Sequence, residues 1–581
     1  MRIQAAHARP WRMPDSAPAP DDFLPDEPSI LRFLLWGRGL RDTTAARAFL
    51  NPAQFRFPPP EAYPQLVAAV DRLRAAIEHG EPLCVWGDYD ADGQTATALL
   101  VGTLRALGGT VSYHLPRRLS EGRGLDRAVL TDLAREGCKL IVTCDCGTGD
   151  GPSVEWAREL GIDVIITDHH EQVGPIPAAV AVCNSSHFSP DDPLFGLPGV
   201  AMAYVLARAL CKRLGRTAEE HRQLDLAALG IVADVAPLTA ANRALVTRGL
   251  RRIWSAPRPG IRALLDLMGR PGSELDTEQI SFKLAPALNA VGRLADARVG
   301  VDLLLTEDPE TARVLACRLC EANAERKRLT AKLEVELRAG LAEQPAEASA
   351  VVLSGVGWHR GLIGLAASHL MHEQGRPVAV ITRDAADEEA RGSVRAAGEV
   401  NVLDLLAGAA DLLVSWGGHV HAAGFTLPAP NIAAFRERFI AAAARLGGTT
   451  GPVLPIDAVV RWAEVGSCRV GENTLIGTLS RLAPFSEGNR PPVLACLGLR
   501  VAARRPLGAG GRHCRLVLAG PDQVCREVLW WNSEPDWQPN GLVDVAFTLS
   551  SNEWQGSTRL RLTLEGIRPH TASQEEHESL A

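Results

Sequence analysis

The chain has 581 residues, 46% hydrophobic and 22% charged, with 61 basic against 68 acidic side chains and a net charge of −7. At roughly 150 residues per domain this is about four domains, and the balanced composition excludes a disordered or fibrous chain. The negative balance argues against nonspecific coating of polyanions but leaves room for a local basic groove. No stretch reaches the roughly 18 to 20 apolar residues of a membrane span, and the N-terminal residues hold no apolar signal-peptide run, so a cytoplasmic protein is expected.

Residues 1–65 contain many prolines around one helical stretch, SILRFLLWGRGL, and read as an extended arm packing on the body. From residue 66 short apolar runs (PLCVWGDYD, TVSYHLP, KLIVTCDCG, DVIITDHH) alternate with longer amphipathic segments. That alternation predicts an α/β fold with a doubly wound parallel sheet over 66–300, whose ligands gather beyond the carboxyl ends of the strands. Residues 201–270 are helical in pattern, and 301–345 read as one long charged connecting helix. A second, smaller α/β unit is expected over 346–448, with a glycine pair at Gly417–Gly418. Over 449–570 about five short alternating runs predict a small β-barrel of the OB type, and 571–581 reads as a frayed polar tail. The twelve cysteines are scattered through predicted cores. No disulfide framework is expected, and the Cys317/Cys320 pair lacks the second pair of a zinc site.

The acidic residues cluster where strands end. Asp88, Asp90 and Asp92 alternate in a turn directly after the run LCVW, where they repel one another unless a multivalent cation neutralises them. A solvated Asp-rich turn would explain one such cluster. Here three more segments repeat the pattern: Asp145 ends KLIVTC, Asp168-His169-His170 ends DVIIT, and Asp234 follows LAALGIVA. Carboxylates with one or two imidazoles and no thiolate suit Mn²⁺ or Mg²⁺. Lysine occurs at only five positions, so any phosphate grip here uses arginine forks.

These motifs, in order and spacing, resemble those of the DHH phosphoesterases, and within them the RecJ family of single-strand-specific 5′→3′ exonucleases. Further matches are YHLPRRLSEGRGL, NAVGRL, WHRGLIGLAASHL, GSVR, GGHVHAAGF, LAPFSEGNRPP and FTLSSNEWQG, together covering about residues 30–570. The resemblance implies a DHH domain, a DHHA1 domain and a C-terminal OB-fold, and a metal-dependent exonuclease that releases mononucleotides from single-stranded DNA in recombination and repair. Asp90 and Asp145 would hold one divalent ion (Mn²⁺ or Mg²⁺), and Asp92, Asp145, His169 and Asp234 the other, with Asp145 bridging. His170 would contact the scissile phosphate, and Asp88 would be a further ligand or a supporting carboxylate. Arg118, Arg293, Ser393, Arg395 and His419 would bind phosphate, caging a chain end from across the crevice. Trp530, Trp531 and Trp554, with Trp537, are candidates for base stacking or for barrel core. A RecQ-type helicase and a single-strand-binding protein are implied partners of a monomer.

Departures from the family pattern are Ala287 where arginine is expected, Ser185 where proline usually follows Asn184, and Ser486 and Arg490 in place of glycine and proline. None touches a presumed metal ligand. Two competing readings are a DHH phosphoesterase acting on short oligonucleotides, which the added barrel length disfavours, and an inactive DNA-binding homologue, which the intact ligand set disfavours.

Overall fold

The computed structural model describes residues 9–14, 18–118, 121–122, 124–172, 174–269, 275–345, 348–384, 387–398, 400–446, 453–466, 474–508, 513–533, 537–538, 541–554 and 557–571, without the side chains of 552–559. The chain forms two compact units: Arg47–Arg326 with Pro484–Arg490, and Met1–Ala46 with Lys327–Ala483 and Pro491–Ala581.

In the first unit five parallel strands, β1 (Leu83–Trp86), β2 (Val111–His114), β3 (Leu140–Cys144), β4 (Asp163–Asp168) and β5 (Ala181–Asn184), lie in the order β2-β1-β3-β4-β5. Both faces are covered, as a parallel sheet requires. Leu83, Val85, Leu140, Val142 and Ile165 pack in one core with helices α1 (Pro64–His79), α2 (Ala91–Ala106) and α5 (Gly199–Arg213). The alternate residues Cys84, Trp86, Ile141, Val164 and Ile166 pack in a second core with α3 (Arg127–Arg135) and α4 (Gly151–Glu159). The strand order reverses between β1 and β3, the switch point at which doubly wound sheets bind ligands.

Helices α6 (Leu224–Ala233), α7 (Ala240–Ser255) and α8 (Ala285–Leu294) complete this unit. Ala287 is fully buried in its core with Leu284 and Leu288, a place where alanine leaves no charge to satisfy. The 34-residue helix α9 (Pro309–Ala342) begins later than the sequence pattern indicates. Asp308 caps it by accepting from the Thr311 amide (2.8 Å), Pro309 takes its first position, and Arg298–Leu305 forms a separate helix.

The second unit holds a five-stranded mixed sheet, β6 (Val351–Val356), β7 (Val378–Arg383), β8 (Glu389–Arg395), β9 (Ser415–His419) and β10 (Ala422–Pro428), ordered β9-β10-β8-β7-β6. Helix α10 (Ile363–Gln374) packs on β7 and β8. Against the sheet's core side, Phe425 and Phe439 stack on either side of Phe435, which lies in α11 (Ile432–Arg445).

Toward the C-terminus β11 (Leu494–Leu507), β12 (His513–Ala519), β13 (Cys525–Trp530), β14 (Leu542–Trp554) and β15 (Ser557–Pro569) run β11-β12-β13-β15-β14, and β14 pairs back with β11 to close a five-stranded barrel. Three of the five strands are 13 or 14 residues long, longer than their alternating sequence runs. Register shifts at Cys496/Leu499, Val501/Ala503 and Ala546/Phe547 bend them around the barrel. The N-terminal Trp11–Arg12 pairs in parallel with Leu454–Pro455. Among the described residues no helix is long and apolar enough to cross a membrane.

Candidate metal centre and phosphate-binding face

The turn after β1 sets the alternating aspartates in different roles. Asp90 caps α2 by accepting from the Gly93 amide (3.1 Å), which puts Asp92 in the first helical turn; Asp88 accepts from the Tyr89 amide (2.7 Å). Helix α8 tethers this turn. Asn289 Oδ1 accepts from the Ala91 amide (2.9 Å), and Gln94 Nε2 donates to both Tyr89 O (2.7 Å) and Leu288 O (3.1 Å). Arg293 lies on the same helix, and the Arg118 guanidinium sits 4.9 Å above the Tyr89 ring.

Asp145, directly after β3, adopts φ of 63°, a left-handed conformation uncommon outside glycine. It is packed against Gly199 so closely that a Cβ there would lie 2.5 Å from the Asp145 Cβ. Gly199 also begins α5, whose first amides, Gly199 N (2.7 Å) and Val200 N (2.9 Å), donate to the two oxygens of Asp92. A carboxylate at a helix N-terminus is partly neutralised by the helix dipole. That does not suffice: burial, with Asp145 and Asp234 adding repulsion, pushes the Asp92 carboxyl well above its usual range.

At the end of β4 the Asp168 carboxylate accepts from the amides of Thr148 (3.0 Å), His169 (2.8 Å) and His170 (3.2 Å) and from His170 Nδ1 (2.7 Å). Burial opposes its charge, yet these bonds hold Asp168 well below the usual carboxylate range. Asn184 braces the same loop, donating to His170 O (2.9 Å) and Thr148 Oγ1 (3.0 Å). His169 Nε2 lies 3.0 Å from Asp145 Oδ1, and its Nδ1 lies 4.0 Å from Asp234 Oδ2.

Three overlapping sets bring their ligand atoms within 4.8 Å of one another: Asp145, His169 and His170; Asp92, His169 and Asp234; Asp88, Asp90 and Asp145. Every metal-ligand candidate named from the sequence thus gathers at the β1/β3 switch point. Asp234 arrives from the end of helix α6, not from a strand. Cys144 and Cys146 flank Asp145, but burial and the nearby aspartates push both thiols well up, so they stay protonated. The donors are oxygen and imidazole, which suits a hard divalent ion. The supporting roles of Asp168, Gly199 and Asn289 escaped the sequence reading. The D-H-H triplet itself signalled the first, and the helix packing that brings the other two to the site exists only in the fold.

In the second unit Ser393 and Arg395 share one face of β8, and their cross-strand partners Gly424 and Ala422 pair onward with Gly417 and His419. Arg395 Nη1 donates to Ser393 Oγ (2.8 Å) and Val394 O (2.7 Å). Gly364, in the first turn of α10, leaves room for this pair; a Cβ there would lie 2.8 Å from Arg395 Nη2. Arginine, hydroxyl and imidazole on one sheet face, with a helix N-terminus and small residues beside them, are groups of the kind that can hold an anion.

The tryptophan candidates separate. Trp530 is only 3% exposed in the barrel core, edge-on to Trp537 at 5.1 Å, so its assignment to base stacking is corrected to core packing. Trp531, one residue on and past the strand end, is half exposed with its ring 5.0 Å from His513. The Trp554 side chain lies outside the described residues.

Models of three domain families match the chain: the DHH family, N-terminal domain (residues 82–231), the DHHA1 domain (347–445) and the RecJ OB domain (464–566). They define a DHH-type protein carrying a C-terminal barrel. Single-stranded-DNA-specific exonuclease RecJ of Dickeya dadantii is 34% identical over 586 residues, covering 95% of this chain and 98% of that protein. Its namesake in Escherichia coli is 32% identical over 581 residues, covering 94% and 97%. The crystal structure of RecJ in complex with Mn²⁺ from Thermus thermophilus matches with a TM-score of 0.81 and 31% identity, covering 98% of this chain and 81% of that one. The chain belongs to the RecJ family.

Two outcomes follow from this geometry. Gly199→Ala, which forces Asp145 and α5 apart, weakens Mn²⁺ binding by about 10- to 100-fold in a calorimetric titration, and an unchanged affinity would contradict the packing. The raised Asp92 pKa means that the metal-free fold loses stability from this group as pH rises out of the ordinary carboxylate range. A cation removes that penalty, so Mn²⁺ raises Tm more at about pH 7.5 than at about pH 5; equal shifts would contradict it.

Proposed function

We propose that this chain is a divalent-metal-dependent exonuclease that degrades single-stranded DNA from its 5′ end to mononucleotides. The observation that carries the reading is the convergence of Asp88, Asp90, Asp92, Asp145, His169 and Asp234 at the sheet's switch point in a member of the RecJ family. Two ions, Mn²⁺ or Mg²⁺, supply the activation of a water and the neutralisation of charge on the phosphate. Asp90 and Asp145 would hold one, and Asp92, Asp145, His169 and Asp234 the other. Asp145 belongs to two of the overlapping ligand sets, which supports its role as the shared ligand.

The remaining residues place the strand. Asp168 engages His170 through Nδ1, which supports Nε2 as the atom that meets a scissile-phosphate oxygen. Asp88 is a supporting carboxylate that shapes the turn. Arg118 and Arg293 hold phosphates beside the metal ligands, while Ser393, Arg395 and His419 take the 5′-terminal phosphate. On the barrel Trp531 offers a stacking face, and Arg505 and Arg515, cross-strand partners on adjacent strands, follow the backbone. The enzyme works in the cytoplasm on strands exposed by a helicase and covered by a single-strand-binding protein.

One oligonucleotide labelled at either end, offered as single strand and duplex with and without Mn²⁺, tests the reading. Mononucleotides leave the 5′ end of the single strand only when metal is present. Arg395→Ala slows this by about 10- to 1000-fold on a 5′-phosphorylated end and far less on a 5′-hydroxyl end. Equal losses on both ends, or release from the 3′ end, would refute the polarity.

A further inference from the structure

Helix α6 stops one residue before Asp234, and its termination is strained. Val235 N donates to Val232 O (3.3 Å) and Ala236 N to Ile231 O (3.2 Å), the two bonds of a Schellman motif. That motif needs a left-handed residue after the cap, normally glycine. Here it is Val235, at φ of 58°, a β-branched residue in a region such side chains avoid. The residue is 58% exposed, so close packing does not offset the strain. Other contacts must hold the turn.

Part of the hold is local, since Asn242 Nδ2 in α7 donates to Pro237 O (3.0 Å) and Leu238 is buried in the core, and part comes from a distant piece of chain. Leu238 N donates to Glu487 O (2.8 Å), and Gly488 lies so near that a Cβ there would be 3.2 Å from Pro237 Cβ. The segment making these contacts is itself closed: Ser486 and Asn489 exchange backbone bonds of 3.1 Å, and buried Asn489 donates Nδ2 to Pro484 O (2.8 Å). Arg243 in α7, also buried, donates Nη1 to Pro484 O (3.1 Å) and Nε to Phe49 O (3.0 Å), with its guanidinium 3.9 Å over the Phe49 ring. The Thr277 hydroxyl donates to Phe485 O. The chain on either side, through Ala483 and from Pro491, clusters with the other unit, yet Pro484–Arg490 clusters with the metal-ligand unit.

We propose that Pro484–Arg490 is a clamp that positions Asp234. By holding Pro237 and Leu238 it keeps Val235 left-handed, and so keeps the Asp234 carboxylate within reach of Asp92 and His169. Asn489, Arg243 and Thr277 are positioning residues acting through that turn. The inference rests on the metal reading above and adds to it a dependence on a segment more than 240 residues away in the chain, the span from Asp234 to Pro484 and beyond.

The test uses the full chain stripped of metal by chelation and titrated with MnCl₂, with heat and the spin-resonance signal of free Mn²⁺ as readouts, and no DNA present. Asn489→Ala weakens one Mn²⁺ site by about 10-fold, and adding Val235→Gly, which removes the strain the clamp opposes, returns it to within about 2-fold of the parent. A structural role for Asn489 alone would not be rescued at Val235. If Asn489→Ala does not fold, Thr277→Val, which deletes a single donor, carries the same comparison. Wild-type affinity in the clamp variant, or an equal loss with and without Val235→Gly, would overturn the proposal. No Mn²⁺ binding by the parent chain would overturn the metal reading itself, and the clamp with it.

Discussion

Mutual repulsion among carboxylates is the constraint around which the catalytic unit is built. Asp88, Asp90, Asp92, Asp145 and Asp234 enter overlapping sets whose ligand atoms lie within 4.8 Å of one another, with His169 common to two of those sets. Burial first, and then the nearby Asp145 and Asp234 charges, push the Asp92 carboxyl upward, so like charges this close in a desolvated site are costly. The fold goes part of the way toward relief by turning the first amides of α5 onto Asp92. The remainder is left for divalent cations, which couples metal affinity to the stability of the unit.

Holding that arrangement takes residues that lie outside the candidate ligand sets. Asp168 accepts three contacts from the loop of His169 and His170 and a fourth from the Thr148 amide, and Asn184 fastens the His170 loop from β5. Asn289 and Gln94 join the aspartate turn to the helix that carries Arg293, so the candidate metal ligands and that arginine are placed by one set of hydrogen bonds. Two of the described non-glycine residues with positive φ, Asp145 and Val235, lie at or beside the candidate ligands. Such conformations persist only where the surroundings over-determine them, and here close packing against Gly199 and the contacts of Pro237 and Leu238 do so.

Much of this was legible in the sequence because its signals are periodic or local. The alternation of apolar runs and amphipathic segments indicates the parallel sheet, and acidic residues at run ends mark the carboxyl ends of its strands as the place where ligands gather. The family resemblance, resting on many short motifs, foretold three domain types and their order. Other features depend on register or on distant partners. Trp530 and Trp531 are adjacent in sequence but one is barrel core and the other surface, a distinction set by the pairing of β13 with β12. Asp308 and Pro309 carried a local helix-start signal that divides Arg298–Leu305 from α9, and a charged helical pattern running through both obscured it. The docking of Glu487 on Leu238 joins positions whose relation no local pattern encodes.

The central claim is that one carboxylate, Asp145, serves both ions, and Asp145→Ala under saturating Mn²⁺ tests it most directly. Turnover of a 5′-phosphorylated single strand should vanish while binding of that strand in chelator stays close to the parent's. Retention of more than about a tenth of the parental rate would contradict a shared ligand and with it the two-ion account.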